Sequence, residues 1–306
     1  MKKFFTLFVL CVFSLCTIHA EITWSLSDDG TLTISGTDMP NYRDGSTFNN
    51  LGAPWFSQRE VIKKNVIRNG VTSIGDYAFA GCSGLTSVTF GNSVTSIGYQ
   101  AFAGCSSLTS VAIPNSVTTI ERSAFSGCPC LSYVTIPNSV TSIAVSVFAF
   151  CPALTSIIVD KGNTTYDSRE NCNAIIETKS NTLISGCKNT IIPNSVTTIG
   201  DYAFRGCSGL TSVTFGNSVT SIGYQAFYRC SALAFVIIGS SVTKIWDYAF
   251  NECFGLTSIT SEAKTPPDCG QFCFGNVQKS IPVYVPANSV ENLNGLISRT
   301  YLLFQL

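Results

Sequence analysis

Val71–Ser93 reads VTSIGDYAFAGCSGLTSVTFGNS, and the same order of residue types starts again at Val94, Val117 and Val140. The step is 23 residues each time, and after an interruption it resumes at Val196, Val219 and Val242. Each unit follows V-x-x-I-x-x-x-A-F-x-x-C-x-x-L-x-x-V-x-[FI], with small deviations. One column holds Phe79, Phe102, Phe125, Phe148, Phe204, Phe227 and Phe250. The Cys column runs from Cys82 to Cys253 and the Leu column from Leu85 to Leu256. A unit this short cannot bury its apolar side alone, so neighbours must stack as coils of a solenoid. The L-x-x-V-x-[FI] stretch alternates apolar and polar, which predicts a short strand with one face inward. Strands of successive coils then lie roughly 4.8 Å apart, with Phe on the opposite wall and Gly and Asn at the turns.

One block occurs twice. Val71–Cys105 and Val196–Cys230 agree at 31 of 35 positions. The differences are Ser73/Thr198, Ala80/Arg205, Ala103/Tyr228 and Gly104/Arg229. A unique catalytic site does not belong in a duplicated block, and these changes read as variation on an exposed surface.

The regular step fails between Val140 and Val196, where one coil carries about ten extra residues within 160–195. CNAIIETKSNTLISGCKNTIIP reads as two strands around Lys179-Ser180-Asn181. The expectation is a hairpin protruding from a solenoid that continues beneath it. Residues 21–70 form an N-terminal β cap: ITWSLSDDGTLTISG alternates around the turn Asp28-Asp29-Gly30, and Trp24, Trp55 and Phe56 are candidates to cover the open stack. The repeats occupy 71–261. A C-terminal cap follows at 262–306, with Ile281–Val285 as its strand. Residues 1–20 have the order of an export signal, with Lys2 and Lys3 before the apolar run Phe4–Ile18 and Ala20 before cleavage; lipidation at Cys16 is the alternative.

Composition narrows the partners. The 306 residues carry 18 Lys+Arg against 18 Asp+Glu, and charged residues are only 12% of the chain. From Val71 to Val159 the charges are Asp76, Glu121 and Arg122. Nothing in this balance draws the chain to nucleic acid, and a membrane enters only through anchoring. A neutral Ser, Thr, Asn and Gly surface suits an extracellular protein as partner, with a glycan as the second choice and a structural envelope component without a separate ligand as the third, and a monomer is expected.

Catalysis is not expected. The one histidine, His19, lies in the leader, so the exported chain has no Ser-His-Asp or Cys-His nucleophile and no His metal ligand. A carboxylate pair in the manner of a glycosidase finds few acids in the repeats. Seven of the twelve cysteines beyond the leader share one repeat position, which suits a ladder of buried free thiols. Cys172 with Cys187, and Cys269 with Cys273, are the candidates for disulfides. Cys128–Cys130 and Cys269/Cys273 lack a second ligand pair for zinc, and Asp28-Asp29 lacks the further oxygens a calcium loop needs. No cofactor or metal is expected.

The remaining candidate is the outward row of the strands: Thr89, Ala112, Thr135, Ile158, Thr214, Ile237 and Thr260. Its plain reading is a solvated row of β-formers. Its functional reading is a recognition surface with Ile158 and Ile237 as apolar contacts. Tyr133, Arg205 and Tyr228 add exposed groups of the types enriched in interface hot spots.

The unit V-T-S-I-G-x-x-A-F-x-x-C-x-x-L-T-S-V-x-I-P-x-S resembles the BspA-like (Treponema pallidum-type) leucine-rich repeats of surface proteins. The resemblance covers roughly 71–285, and 21–70 is similar to the N-terminal segment of Bacteroides-type members. It implies a right-handed leucine-rich-repeat coil with short parallel β-strands on one face and little helix. It also implies a surface or secreted location and, for some members, adhesion to host proteins or other microbes.

Overall fold

The structure is a computed structural model that describes residues 21–43, 52–278 and 280–286. The expected leader, residues 1–20, lies outside the described residues. The fold is a β-solenoid of leucine-rich-repeat type whose coils repeat at the period of the sequence.

Two parallel strand ladders line the coils, where the sequence predicted one. The predicted front ladder is present: Ser110–Ala112, Tyr133–Ile136 and Ser156–Val159 pair in parallel, with Val111 opposite Val134 and Val134 opposite Ile157. Ser212–Thr214, Phe235–Ile238, Ser258–Ser261 and Val283–Tyr284 form a second front section. The additional ladder runs through the V-x-x-I segment. Ser73–Ile74, Ser96–Ile97, Thr119–Ile120 and Ser142–Ile143 pair in register. Two residues per coil are too few for alternation to be visible along the chain. They extend because β-branched Thr and Ile favour it, and because each Thr reaches the coil before it. The Thr95 amide and hydroxyl both donate to the Thr72 carbonyl, at 2.7 and 3.0 Å, and Thr118 repeats this on Thr95 at 2.8 and 3.2 Å.

The third wall is made of turns. Tyr77, Gln100, Ser123, Tyr202, Gln225 and Tyr248 all have φ between 50° and 60°. This left-handed residue turns the chain so that the next N–H groups point at the neighbouring coil. Phe79 N–H donates to Ala101 O at 2.7 Å and Phe102 N–H to Ala124 O at 2.8 Å. The turn wall thereby pairs its backbone with the neighbouring coil, as the two strand ladders do.

Inside, the Phe column stacks ring on ring. Centroids are 5.0 Å apart for Phe79–Phe102, 5.3 Å for Phe102–Phe125 and 5.8 Å for Phe125–Phe148. Trp55 ends the stack against Phe79 at 5.6 Å, and its indole N–H donates to Ala78 O at 2.8 Å. Trp24 meets Trp55 edge-on from the Thr23–Leu26/Thr31–Ser35 hairpin. Thr31–Ser35 continues in parallel into Lys64–Ile67, and that strand pairs with Ser87–Thr89. The Asp29 carboxylate accepts from Ser27 Oγ, Thr31 N and Thr31 Oγ1, the bonds of a self-closed turn.

The inserted segment does not protrude. Ala174–Glu177 and Thr182–Gly186 form an antiparallel hairpin, but its second strand pairs in parallel with Thr198–Ile199 and places Leu183 in the Ile column. Ala174, Ile175 and Ile176 are all fully buried. Ile175 packs into the core of the preceding coils, while Ala174, Ile176 and Leu183 pack into the core of the following ones. Successive residues of a strand point to opposite faces, so Ile175 serves one core while Ala174 and Ile176 serve the other. The hairpin is therefore a two-faced partition. Three consecutive apolar residues cannot face solvent on alternate sides, which is why it sinks into the wall.

Candidate functional site

The partition divides the front row. Thr89 lies on the section continuous with the N-terminal strands. Ala112, Thr135 and Ile158 are opposite one another in the next section. Thr214, Ile237 and Thr260 align in the last, followed by Tyr284. Thr89, Ala112, Ile158 and Thr214 are exposed; Thr135, Ile237 and Thr260 are half-buried. Where the inserted coil passes there is no strand, and Ile191 stands 74% exposed with its N–H bonded to Cys172 O at 3.1 Å.

A parallel outward row lies two residues earlier on each strand. It is mostly Ser: Ser87, Ser110, Ser156, Ser212 and Ser258. Tyr133 and Phe235 replace Ser in this row and are each 45% exposed, comparable to Ile158 at 47%. The sequence reading placed Tyr133 on the surface but passed over Phe235 and Tyr284. Its available signal was the departure of LAFV from the LTSV of other coils. The front therefore carries two apolar islands on a hydroxyl-covered sheet: Tyr133 and Ile158 before the partition, Phe235 and Ile237 after it.

Arg205 and Tyr228 are placed elsewhere, on the turn wall just beyond the partition. Both are half-buried rather than open. The Arg205 guanidinium lies 5.3 Å from the Tyr228 ring, 5.3 Å from Tyr202 and 5.2 Å from Phe150. Arg229 lies 5.2 Å over the other reach of Tyr228 and pairs with Glu252 at 2.7 Å. Tyr228 donates its hydroxyl to the same carboxylate at 2.8 Å. Arg229 and Tyr228 together hold Glu252 below the usual carboxylate range.

The cysteine column is core. Cys105, Cys128, Cys151, Cys230 and Cys253 each point Sγ at the carbonyl of the Phe one coil back, at 3.1–3.3 Å. A small side chain with a weak donor fits there and nothing larger does. Burial pushes the Cys82, Cys207 and Cys253 thiols up to about 12, as expected of thiols packed among apolar groups. Cys172, Cys187, Cys269 and Cys273 are also thiols in the structure; Cys187 Sγ lies 3.3 Å from Asn173 O.

Comparison with known proteins agrees with this architecture. Residues 49–177 and 178–295 match the BspA type leucine rich repeat region, in six copies. A leucine-rich repeat protein from Eubacterium ventriosum is 29% identical with a TM-score of 0.63, covering 79% of this chain and 70% of that one. The pneumococcal vaccine antigen PcpA is 15% identical with a TM-score of 0.55, covering 94% and 96% of the two chains, a likeness of fold. A T. pallidum leucine-rich repeat protein aligns at 24% identity and a TM-score of 0.42, over 77% of this chain and 87% of that one. No curated protein matches the chain. With its repeat columns, its stacked coils and a family match over most of its length, the chain belongs to the BspA-type leucine-rich repeat family.

Proposed function

We propose that this protein is an exported, non-enzymatic binding module that engages an extracellular or cell-surface protein through its front sheet. The observation that carries the reading is the placing of Tyr133, Ile158, Phe235 and Ile237, with Tyr284 at the end, in rows whose other repeat members are Ser, Thr and Ala. A solvated sheet has no need of large apolar groups there, and aromatic anchors in polar surroundings are what protein interfaces use. The order of charges and apolar residues in 2–20 supports export.

The test is a binding screen of the protein against arrayed extracellular proteins, with a Tyr133→Ser, Ile158→Thr, Phe235→Ser variant alongside. Each change restores the residue type of neighbouring coils, so the fold is retained. For any protein that binds, the variant is expected to bind at least about tenfold more weakly, the loss of roughly one hot-spot side chain or more. Undiminished binding by the variant sinks the front-sheet reading.

One observation favours a glycan as a second reading. Trp246 is half-exposed where Gly75, Gly98, Gly200 and Gly223 stand in other coils. Its indole N–H donates to Ser221 Oγ at 3.1 Å, and Lys244, paired with Asp268, lies 5.0 Å from its ring. A fixed aromatic face beside polar groups suits stacking against a sugar. On a glycan array, Trp246→Gly is expected to abolish any signal. A signal that survives the change removes Trp246 from the reading.

A further inference from the structure

The duplicated block offers an internal control. The first copy shows which residues the coil needs, and the second shows what has been added. Ala80, Ala103 and Gly104 are sufficient to build the turn wall in the first copy. In the second copy Arg205, Tyr228 and Arg229 take those places, and the three additions meet in one patch. The replacement at 229 works against the fold. Gly104 has φ +71°, and Arg229 keeps the left-handed conformation at φ +60°, where a side chain costs energy that glycine does not. Phe150 and Glu252 are left-handed at the same position of their coils, at φ 57° and 59°, so the added side chain rather than the backbone distinguishes the second copy.

The patch reaches beyond the block. Phe150 N–H donates to Arg205 O at 2.9 Å, which seats the coil before the partition directly on the coil after it. This brings the Phe150 ring under Arg205. Arg122, two coils back, lies 5.6 Å over the Tyr202 ring. Two guanidiniums thus share the Tyr202 ring, and among the described residues neither is paired with a carboxylate. Arg205 Nε is buried with no hydrogen-bond partner. Nearby carboxylates are otherwise engaged: Glu252 holds Arg229 and Tyr228, and Asp201 accepts the Tyr224 N–H at 2.8 Å. With rings beside them and no carboxylate partner among the described residues, the two guanidiniums keep N–H donors of the kind that take a carboxylate.

We infer that Arg122, Arg205 and Tyr228, with Phe150 and Tyr202 as floor, form a second binding surface for an acidic peptide segment of a partner protein. A peptide is the occupant proposed, because its aliphatic side chains can pack on the half-buried Phe150 ring while its carboxylates meet the guanidiniums, and an acidic sugar is the competing outcome of the test. This surface is separate from the front sheet and does not rest on the reading of that sheet.

The experiment uses the full chain and three probes: a peptide pool of Asp and Glu interspersed with Leu and Tyr, the same pool with Asn and Gln in place of the acids, and hyaluronate oligosaccharides. The key variant is Arg205→Ala, Tyr228→Ala, Arg229→Gly, which restores the first copy's residues and so keeps a wall known to fold. Arg205→Gln is measured beside it, and the front-sheet triple variant serves as control. The acidic pool is expected to bind and the amide pool to bind at least about thirtyfold more weakly, the loss expected when a desolvated charged partner is removed. The restoring variant and Arg205→Gln should both lose binding at an unchanged melting temperature, while the front-sheet variant keeps it. Equal binding by the restoring variant, no binding of the acidic pool by the wild type, or preference for hyaluronate each overturns the assignment.

Discussion

Phe227→Ala is expected to destabilise the C-terminal half of the solenoid by about 3–5 kcal/mol. The ring is fully buried between Phe204 at 4.8 Å and Phe250 at 5.0 Å, both near-parallel, and Phe215 meets it edge-on at 5.6 Å. Its removal leaves a cavity in the middle of a column whose neighbours are held by inter-coil hydrogen bonds. Phe227 N–H donates to Ala249 O and Phe204 N–H to Ala226 O, each at 2.7 Å, so collapse around the void is limited. Because contacts in a stacked coil run only to neighbours, the damage should stay on one side of the partition. Urea unfolding followed by tryptophan fluorescence checks this. Trp55 lies in the first core and Trp246 on the coils of the second. A Trp246→Phe background isolates the N-terminal signal. The expected result is a lowered midpoint for the C-terminal half with the Trp55 transition nearly unmoved. Coincident transitions in the variant would show that the hairpin couples the two cores into one cooperative unit.

Gly186→Ala should destabilise the protein strongly for a change of one methyl. A Cβ there would stand 2.1 Å from Phe204 Cε1 and 2.4 Å from Cζ, well inside van der Waals contact. Gly186 ends the second strand of the partition opposite Ala174, and its N–H donates to Ala203 O at 2.9 Å. The Phe204 ring is itself fixed by Phe227. With backbone on one side and a stacked ring on the other, neither partner can yield cheaply, and overpacking of this kind costs about 1–3 kcal/mol or more. Gly104→Ala is the comparison. Its nearest atoms would be 3.7 Å away, so only its left-handed backbone resists, at roughly 1 kcal/mol. Thermal melts of the two variants rank them. A Gly186→Ala protein as stable as Gly104→Ala would mean that the partition does not press on the Phe column as described.

The sequence determined the coil. A fixed period of apolar residue types leaves one economical way to bury them, so the stacking, the Phe and Cys columns and the front strands could be read from residue order. The period also made Arg205 and Tyr228 neighbours, since they are one step apart. Tyr133 and Phe235 were legible as departures from Ser in their row, though only Tyr133 was singled out. Other features depended on what the coils stack upon. The ladder through the V-x-x-I segment is two residues wide, too short to show alternation, and exists because the adjacent coil offers carbonyls at the right height. The hairpin sinks into the wall because two cores, one on each side, bury residues that a single face could not. Phe150 meets Arg205, and Arg122 meets Tyr202, across the interruption, where counting by the period no longer says which coils touch. Within a uniform stack sequence spacing is spatial spacing; at the partition that equivalence ends, and only the tertiary structure decides what lies beside what.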